Sequence, residues 1–428
     1  MSGLFEKVRL RKRDAVLIVA SFVCYTGMYA VRKSFLAGEY TDAEALGELS
    51  FKTALIISQV MGYMISKFIG IRWVSEISHA SRLKALLGFV GFGLAMLGVF
   101  ALVPGEMKLV AIFFSALPLG MVFGLVLTYL EGRRSSELLV AGLSATFIFS
   151  TGFIKSVGLF LMDHFGIAEF AMPVATAVIF FPFFIISVRV LQRSPEPDAD
   201  DVAHRTQRVP MSTDDRKAFM KRFGFPVLGM ILVYVVLTVV RDFRDNFIVE
   251  YWSEILVSGV RPALVTLTEV PISVVVISIA AVGILFRSNV VAYKVGLILT
   301  LACGVGLSLV TLLYAAGFIG AVLWVIVSGV LIYIPYILFH CMLFERFLAM
   351  VGEKATVGFL FYQADSAGYL LSVIVLLFKE LGDFTTTWNR FFITLNIWGG
   401  IGVAVFSIWV FVAVRRSVVL PRLSIKSS

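Results

Sequence analysis

The chain has 428 residues, 59% of them hydrophobic and only 15% charged, with a formal charge of +9 and a mean hydropathy of +0.94. Soluble domains carry roughly a quarter charged residues, so polar side chains here are too few to cover a water-exposed surface. At about 20 apolar residues per bilayer crossing, the chain has room for roughly twelve spans and excludes an ordinary soluble enzyme.

Apolar runs between charged breaks predict spans near 14–36, 51–71, 85–104, 109–130, 138–162, 169–191, 225–248, 264–286, 291–316, 318–343, 356–378 and 390–414. The first follows a basic stretch from Arg9 to Arg13, as a secretory signal would. Its apolar run is longer than a signal core and ends at Arg32-Lys33 without a small-residue cleavage pattern, so it reads as a true helix. With the amino terminus in the cytoplasm, 26 of the 37 Lys and Arg fall on that side. Only Lys52, Lys108, Arg261, Lys379 and Arg390 fall on the other. The positive-inside bias therefore places both termini in the cytoplasm of a multi-pass protein, with the cell's inner membrane as the expected location. It also turns most of the basic charge into a topology signal rather than one for nucleic acid.

Residues 192–224 break the pattern, with Pro195, Pro197, Pro210 and an acidic cluster from Glu196 to Asp201. They read as a linker between an N-terminal six-helix half, 1–191, and a C-terminal half, 225–428. Tyr25, Tyr29 and Arg32 stand at i, i+4 and i+7 on one helical face. Tyr234, Thr238 and Arg241 repeat that spacing 209 positions later. Lys155-Ser156-Val157-Gly158 matches Asp365-Ser366-Ala367-Gly368 at 210, and Glu131 matches Glu345 at 214. Three coincidences at nearly one offset point to duplicated halves in an all-α, twelve-helix membrane protein.

Six basic residues remain inside the spans: Arg32, Lys33, Lys67, Lys155, Arg241 and Arg244. Each costs roughly 2.5–3.5 kcal/mol at mid-span unless it faces protein or water. Asp242, Asp245, Glu269 and Asp365 are the carboxylates available to pair with them. Arg32 shares its face with two tyrosines and reads as a cavity residue; Lys33, about 100° away, reads as an interface residue. The alternative is that both end the helix and snorkel outward. Lys67 has the same alternative at the cytoplasmic end of its span. For Arg241 the alternative is neutralisation by Asp245 at i+4 or by Glu269. Lys155 and Asp365, at equivalent repeat positions, are expected to form an ion pair between the halves. Glu76, Arg82, Glu131, Arg133 and Arg134 are expected to form a cytoplasmic salt-bridge cluster that biases one state.

The three cysteines lie far apart, the four histidines share no ligand spacing, and neither a Walker motif nor HExxH occurs. No metal, cofactor or enzymatic activity is expected. The expected partners are a small anionic solute, inorganic phosphate and the lipid bilayer, with no nucleic acid, and the protein reads as a monomer.

Twelve spans in two halves resemble the major facilitator superfamily over nearly the whole chain. Tyr29-Ala30-Val31-Arg32-Lys33-Ser34-Phe35 is similar to the first-helix Tyr-x-x-Arg-Lys-x-Phe of the organophosphate:phosphate antiporters, the glycerol-3-phosphate and hexose-phosphate transporters. Gly62-Tyr63 and Ser66-Lys67-Phe68 resemble that family's second helix, and Glu250-Tyr251-Trp252 a degraded form of its segment after the seventh. The resemblance implies a phosphate site of Arg32 and Arg241, with Lys67 adding positive potential. The family's fifth-helix histidine has no counterpart, Phe149 and Lys155 lying in that region, and Arg241-Asp242-Phe243-Arg244-Asp245 replaces a lone arginine.

The expected function is secondary transport by alternating access. Arg32 and Arg241 would hold an anion, Tyr25, Tyr29 and Tyr234 would orient it, and Lys67 and Lys155 would tune charge. Asp365, Glu269, Asp245, Glu131 and Arg133 are the coupling or gating candidates. The rival expectations are proton-coupled transport through Asp365 or Glu269, and a membrane sensor that moves nothing.

Overall fold

A computed structural model describes residues 12–41, 43, 47, 49–130, 133, 136–195, 213–256, 262–284, 286, 288–352, 355, 357–381 and 387–416. The helices are α1 (Lys12–Lys33), α2 (Phe51–Glu76), α3 (His79–Leu102), α4 (Met107–Ala116), α5 (Val122–Leu130), α6 (Ser136–Ser144), α7 (Thr146–Phe165) and α8 (Met172–Arg193). They continue as α9 (Thr213–Ile255), α10 (Pro262–Ile284), α11 (Asn289–Ala315), α12 (Ala321–Leu338), α13 (Phe344–Val351), α14 (Val357–Leu381) and α15 (Trp388–Val414). Short 3₁₀ or π turns join α4 to α5 and α12 to α13, and α6 runs almost directly into α7. Twelve membrane-length crossings result.

Eleven are apolar and long enough to cross a membrane among the described residues. The twelfth, α2, is 26 residues long and carries Lys52, Gln59 and Lys67. Of the expected linker, 196–212 lies outside the described residues, whereas 213–224 is helical and opens the 43-residue α9. Glu131 and Arg134 also lie outside the described residues.

In one set of helices α1 packs on α7 and α8, α2 on α4, and α3 on α4 and α8; in the other, α9 packs on α14 and α15, α11 on α12 and α15, and α10 on α12. The sets meet where α7 packs on α10 and α2 on α14. Burial follows this plan: α1 and the apolar stretch of α9 are each 67% buried, while α3 is only 28% buried. The outward faces carry Phe92, Phe183, Leu309 and Trp398. A lipid solvent rewards that inversion, because apolar side chains lose nothing by facing it.

Two glycines let α2 approach its neighbour. A Cβ at Gly62 would stand 2.4 Å from the Phe113 carbonyl oxygen on α4, and one at Gly120 would stand 2.7 Å from the Tyr63 carbonyl oxygen. Small residues at such crossings allow backbone contact that larger ones forbid. Gly62→Val is expected to push α2 away from α4 at a cost of about 1–3 kcal/mol. A melting temperature several degrees lower, measured by intrinsic fluorescence in detergent, checks this.

Candidate functional site

The interior charges gather around a cage of tyrosines between the two sets of helices. Arg32, in the last turn of α1, is 5% exposed. Its guanidinium lies 3.6 Å from the centroid of the Tyr63 ring and 5.9 Å from that of Tyr29. Tyr25 packs edge-on against Tyr29 with centroids 5.3 Å apart, as the i, i+4 spacing dictates. Across the cage, Arg241 on α9 lies 4.7 Å from the Tyr336 ring and is bonded to Asp242. The second Asp242 oxygen accepts from Ser372 Oγ at 3.0 Å.

Lys67 closes the circuit between the sets. It is ion-paired with Asp365 and stands 4.9 Å from the rings of both Tyr63 and Tyr369. Those two rings meet edge-on at 5.7 Å. The other Asp365 oxygen accepts from the Tyr234 hydroxyl at 3.1 Å. That hydroxyl also stands 3.1 Å from His340 Nε2 and 3.4 Å from the Tyr336 hydroxyl. His340 sits in the π turn Phe339–Leu343, five residues after Pro335. Such a turn adds a residue to the helix and re-aims side chains; here the imidazole reaches the cage.

Beyond the cage, away from the end where α1 begins, lies a second cluster. Lys33 reaches Asp245 Oδ2 and Asn246 Oδ1, both at 2.9 Å. Lys155 reaches Asp245 Oδ1 at 3.3 Å and also donates to the Asp245 main-chain carbonyl. Arg244 pairs with Glu269 at 2.8 Å and donates to the Val325 carbonyl at 2.8 Å. Lys52 pairs with Glu250. Phe247 breaks the α9 helix here, at φ −124° and ψ 18°.

Several expectations change. Lys155 and Asp365 do not pair; each finds another partner. Phe147 lies against Tyr25 at 5.9 Å and against His340 at 5.0 Å, which puts it at the depth of Tyr234 and Asp365. Phe147 and Asp365 are 218 positions apart, eight more than the 210 offset. At 1.5 Å rise, Lys155 therefore stands about 12 Å farther along the bundle than Asp365. Lys33 is not an interface residue: it is 3% exposed, because α1 gives way to a 3₁₀ turn at Ser34 that packs against α9. Lys67 does not snorkel, since Asp365 holds it. Arg241 is neutralised by neither Asp245 nor Glu269; Asp242 takes that place. Arg82 donates to the Thr128 carbonyl, and Arg133 to those of Tyr129 and Pro195; of the carboxylates expected to meet them, Glu131 lies outside the described residues. The Glu76 side chain lies outside the described residues.

Among the described residues Arg32 has no carboxylate within ion-pair distance, and its Nε lacks a hydrogen-bond partner. Among the described residues at this seam, the six cations Arg32, Lys33, Lys67, Lys155, Arg241 and Arg244 face the four carboxylates Asp242, Asp245, Glu269 and Asp365, which leaves two positive charges uncompensated. Tyr336, Tyr369 and the carboxylate of Asp242 were not distinguishable by sequence, because aromatic and acidic residues in apolar runs carry no periodic signal of the partner they meet. Metal-ligand groupings are absent among the described residues.

This arrangement, twelve crossings in two pseudo-symmetric six-helix sets with buried charges at their seam, is the major facilitator fold. The crystal structure of a D-xylose-proton symporter matches it with a TM-score of 0.57 at 14% identity, covering 93% of this chain and 96% of that one. The chain belongs to DUF5690, a family of unknown function whose model matches residues 34–416. No curated protein sequence matches it.

Proposed function

We propose that the protein is a secondary transporter that moves a small anionic solute across a membrane by alternating access, in exchange for another anion. The observation that carries this reading is Arg32, a buried guanidinium with no carboxylate partner among the described residues, in a cage that holds a second arginine. A buried unpaired charge costs several kcal/mol. An anionic solute would offset that cost, and its binding would let the two sets of helices rock about the α2–α14 and α7–α10 contacts. An empty cage keeps its excess charge, so return without an anion is disfavoured and exchange follows. The planar forks of Arg32 and Arg241 suit a phosphoryl or carboxylate group, and the Tyr29 to Phe35 motif favours a phosphorylated solute. Both termini would lie in the cytoplasm.

Counterflow tests this reading. Proteoliposomes preloaded with unlabelled phosphate are expected to accumulate labelled phosphate with no ion gradient imposed. Absence of exchange by a folded preparation, with phosphate and a panel of organic anions, would rule it out.

A second reading, proton-coupled transport, is favoured by the contacts of Asp365, held between Lys67 and the Tyr234–His340 pair. The solved structure of similar fold is itself a proton symporter.

A further inference from the structure

The distribution of the two uncompensated charges says more about the solute than their number does. Arg241 with Asp242, Lys67 with Asp365 and Arg244 with Glu269 are each neutral pairs. One excess charge is therefore Arg32 itself. The other lies in the second cluster, where Lys33 and Lys155 share the single carboxylate of Asp245. Both ammoniums are buried, at 3% and 1% exposure. An ammonium has three N–H donors. Lys33 directs two at Asp245 and Asn246, and Lys155 directs two at the Asp245 carboxylate and main-chain oxygen. One donor remains on each.

The two centres are adjacent. Lys33 follows Arg32 directly, and Asp245 lies one helical turn beyond Arg241, a rise of about 6 Å. We infer that the transported solute carries two anionic heads about one helical turn apart, the first held by Arg32 in the tyrosine cage and the second by the spare donors of Lys33 and Lys155. The inference rests on the anion-transport reading above and narrows it: a one-headed anion would leave one of the two charges unmatched. A neutral solute would leave both.

Binding to the purified full-length protein, followed by thermal shift in detergent, tests this with two classes of probe. The two-headed class is a series of α,ω-dicarboxylates of four to seven carbons and a three-carbon phosphorylated carboxylic acid. The one-headed class is the monocarboxylates of the same lengths, a phosphomonoester of a neutral alcohol, and inorganic phosphate. Two-headed probes are expected to bind at least about tenfold more tightly than their one-headed counterparts, a gap of about 1.4 kcal/mol. Lys155→Gln is expected to remove that advantage, and Lys33→Gln provides the same test if the first variant does not fold. Equal binding of both classes, or an advantage that survives in both variants, overturns the inference while leaving anion transport standing. If a folded preparation binds no probe of either class, inorganic phosphate included, the anion reading falls and takes the inference with it.

Discussion

Arg32→Lys is expected to lower anion exchange by about a hundredfold or more while leaving the protein folded. The substitution keeps the charge, so any loss reports on shape. The guanidinium carbon lies 3.6 Å from the Tyr63 ring centroid, and this cation–π contact restricts where its N–H groups can point. A lysine ammonium can approach the same ring but offers no planar fork. Hydrogen bonds to charged groups contribute about 1.5–3 kcal/mol each. Losing one fork contact and the orientation of the rest therefore corresponds to about 3 kcal/mol, or roughly two powers of ten. Folding is spared because Arg32 supports no ion pair among the described residues, and lysine leaves the balance of buried charge unchanged. Arg241→Lys differs in kind, since Asp242 would retain a cationic partner there. Its exchange rate is expected to fall less. Initial rates of labelled phosphate counterflow in reconstituted vesicles check both, with equal amounts of protein confirmed by size-exclusion profile. Wild-type rates in Arg32→Lys would remove the residue from the site.

The contrast between the two arginines shows what the sequence can and cannot convey. The i, i+4, i+7 spacing of Tyr25, Tyr29 and Arg32 encodes a shared face, because helical geometry is local, and the structure places all three on the cage side of α1. The number of crossings is legible for the same reason, since each span must satisfy its backbone internally. Partner choice between helices is not local. Lys155 and Asp365 share a repeat position, yet a difference of eight residues between the matched depths of α7 and α14 sets them about 12 Å apart. Lys33 looked like an interface residue because α1 is the only helix visible from its own sequence. Its burial is supplied by α9, whose Asp245 and Asn246 lie more than 200 positions away. Tyr336 and Tyr369 are invisible for a related reason, and Tyr63 is marked only by the motif it sits in. An aromatic in an apolar run faces lipid, core or cage with the same local pattern, and only the packing of α2, α12 and α14 around Arg32 and Arg241 separates those cases. The π turn that aims His340 has no sequence mark beyond Pro335 one turn earlier.

Asp365→Asn is expected to have the largest effect on stability and to decide how transport is driven. Asp365 is 3% exposed, and its two oxygens are divided between Lys67 and the Tyr234 hydroxyl. Removing one member of a buried pair leaves the other as an uncompensated charge, which costs about 3–5 kcal/mol. Asparagine keeps an oxygen for Tyr234 but cannot neutralise Lys67, so the melting temperature is expected to fall by several degrees. The double variant Lys67→Gln, Asp365→Asn removes both charges and is expected to recover most of that loss; equal destabilisation of the single and double variants would show that the pair is not the cause. The same substitution separates exchange from proton coupling. If Asp365 takes up the proton, Asp365→Asn abolishes uptake driven by an acid-outside gradient but retains counterflow, which needs no net proton movement. If the protein is an exchanger, wild-type uptake gains nothing from the gradient and Asp365→Asn only scales the counterflow rate. Uptake in the double variant that still responds to an imposed pH gradient would take Asp365 out of the coupling path and make Glu269, paired with Arg244, the next carboxylate to test.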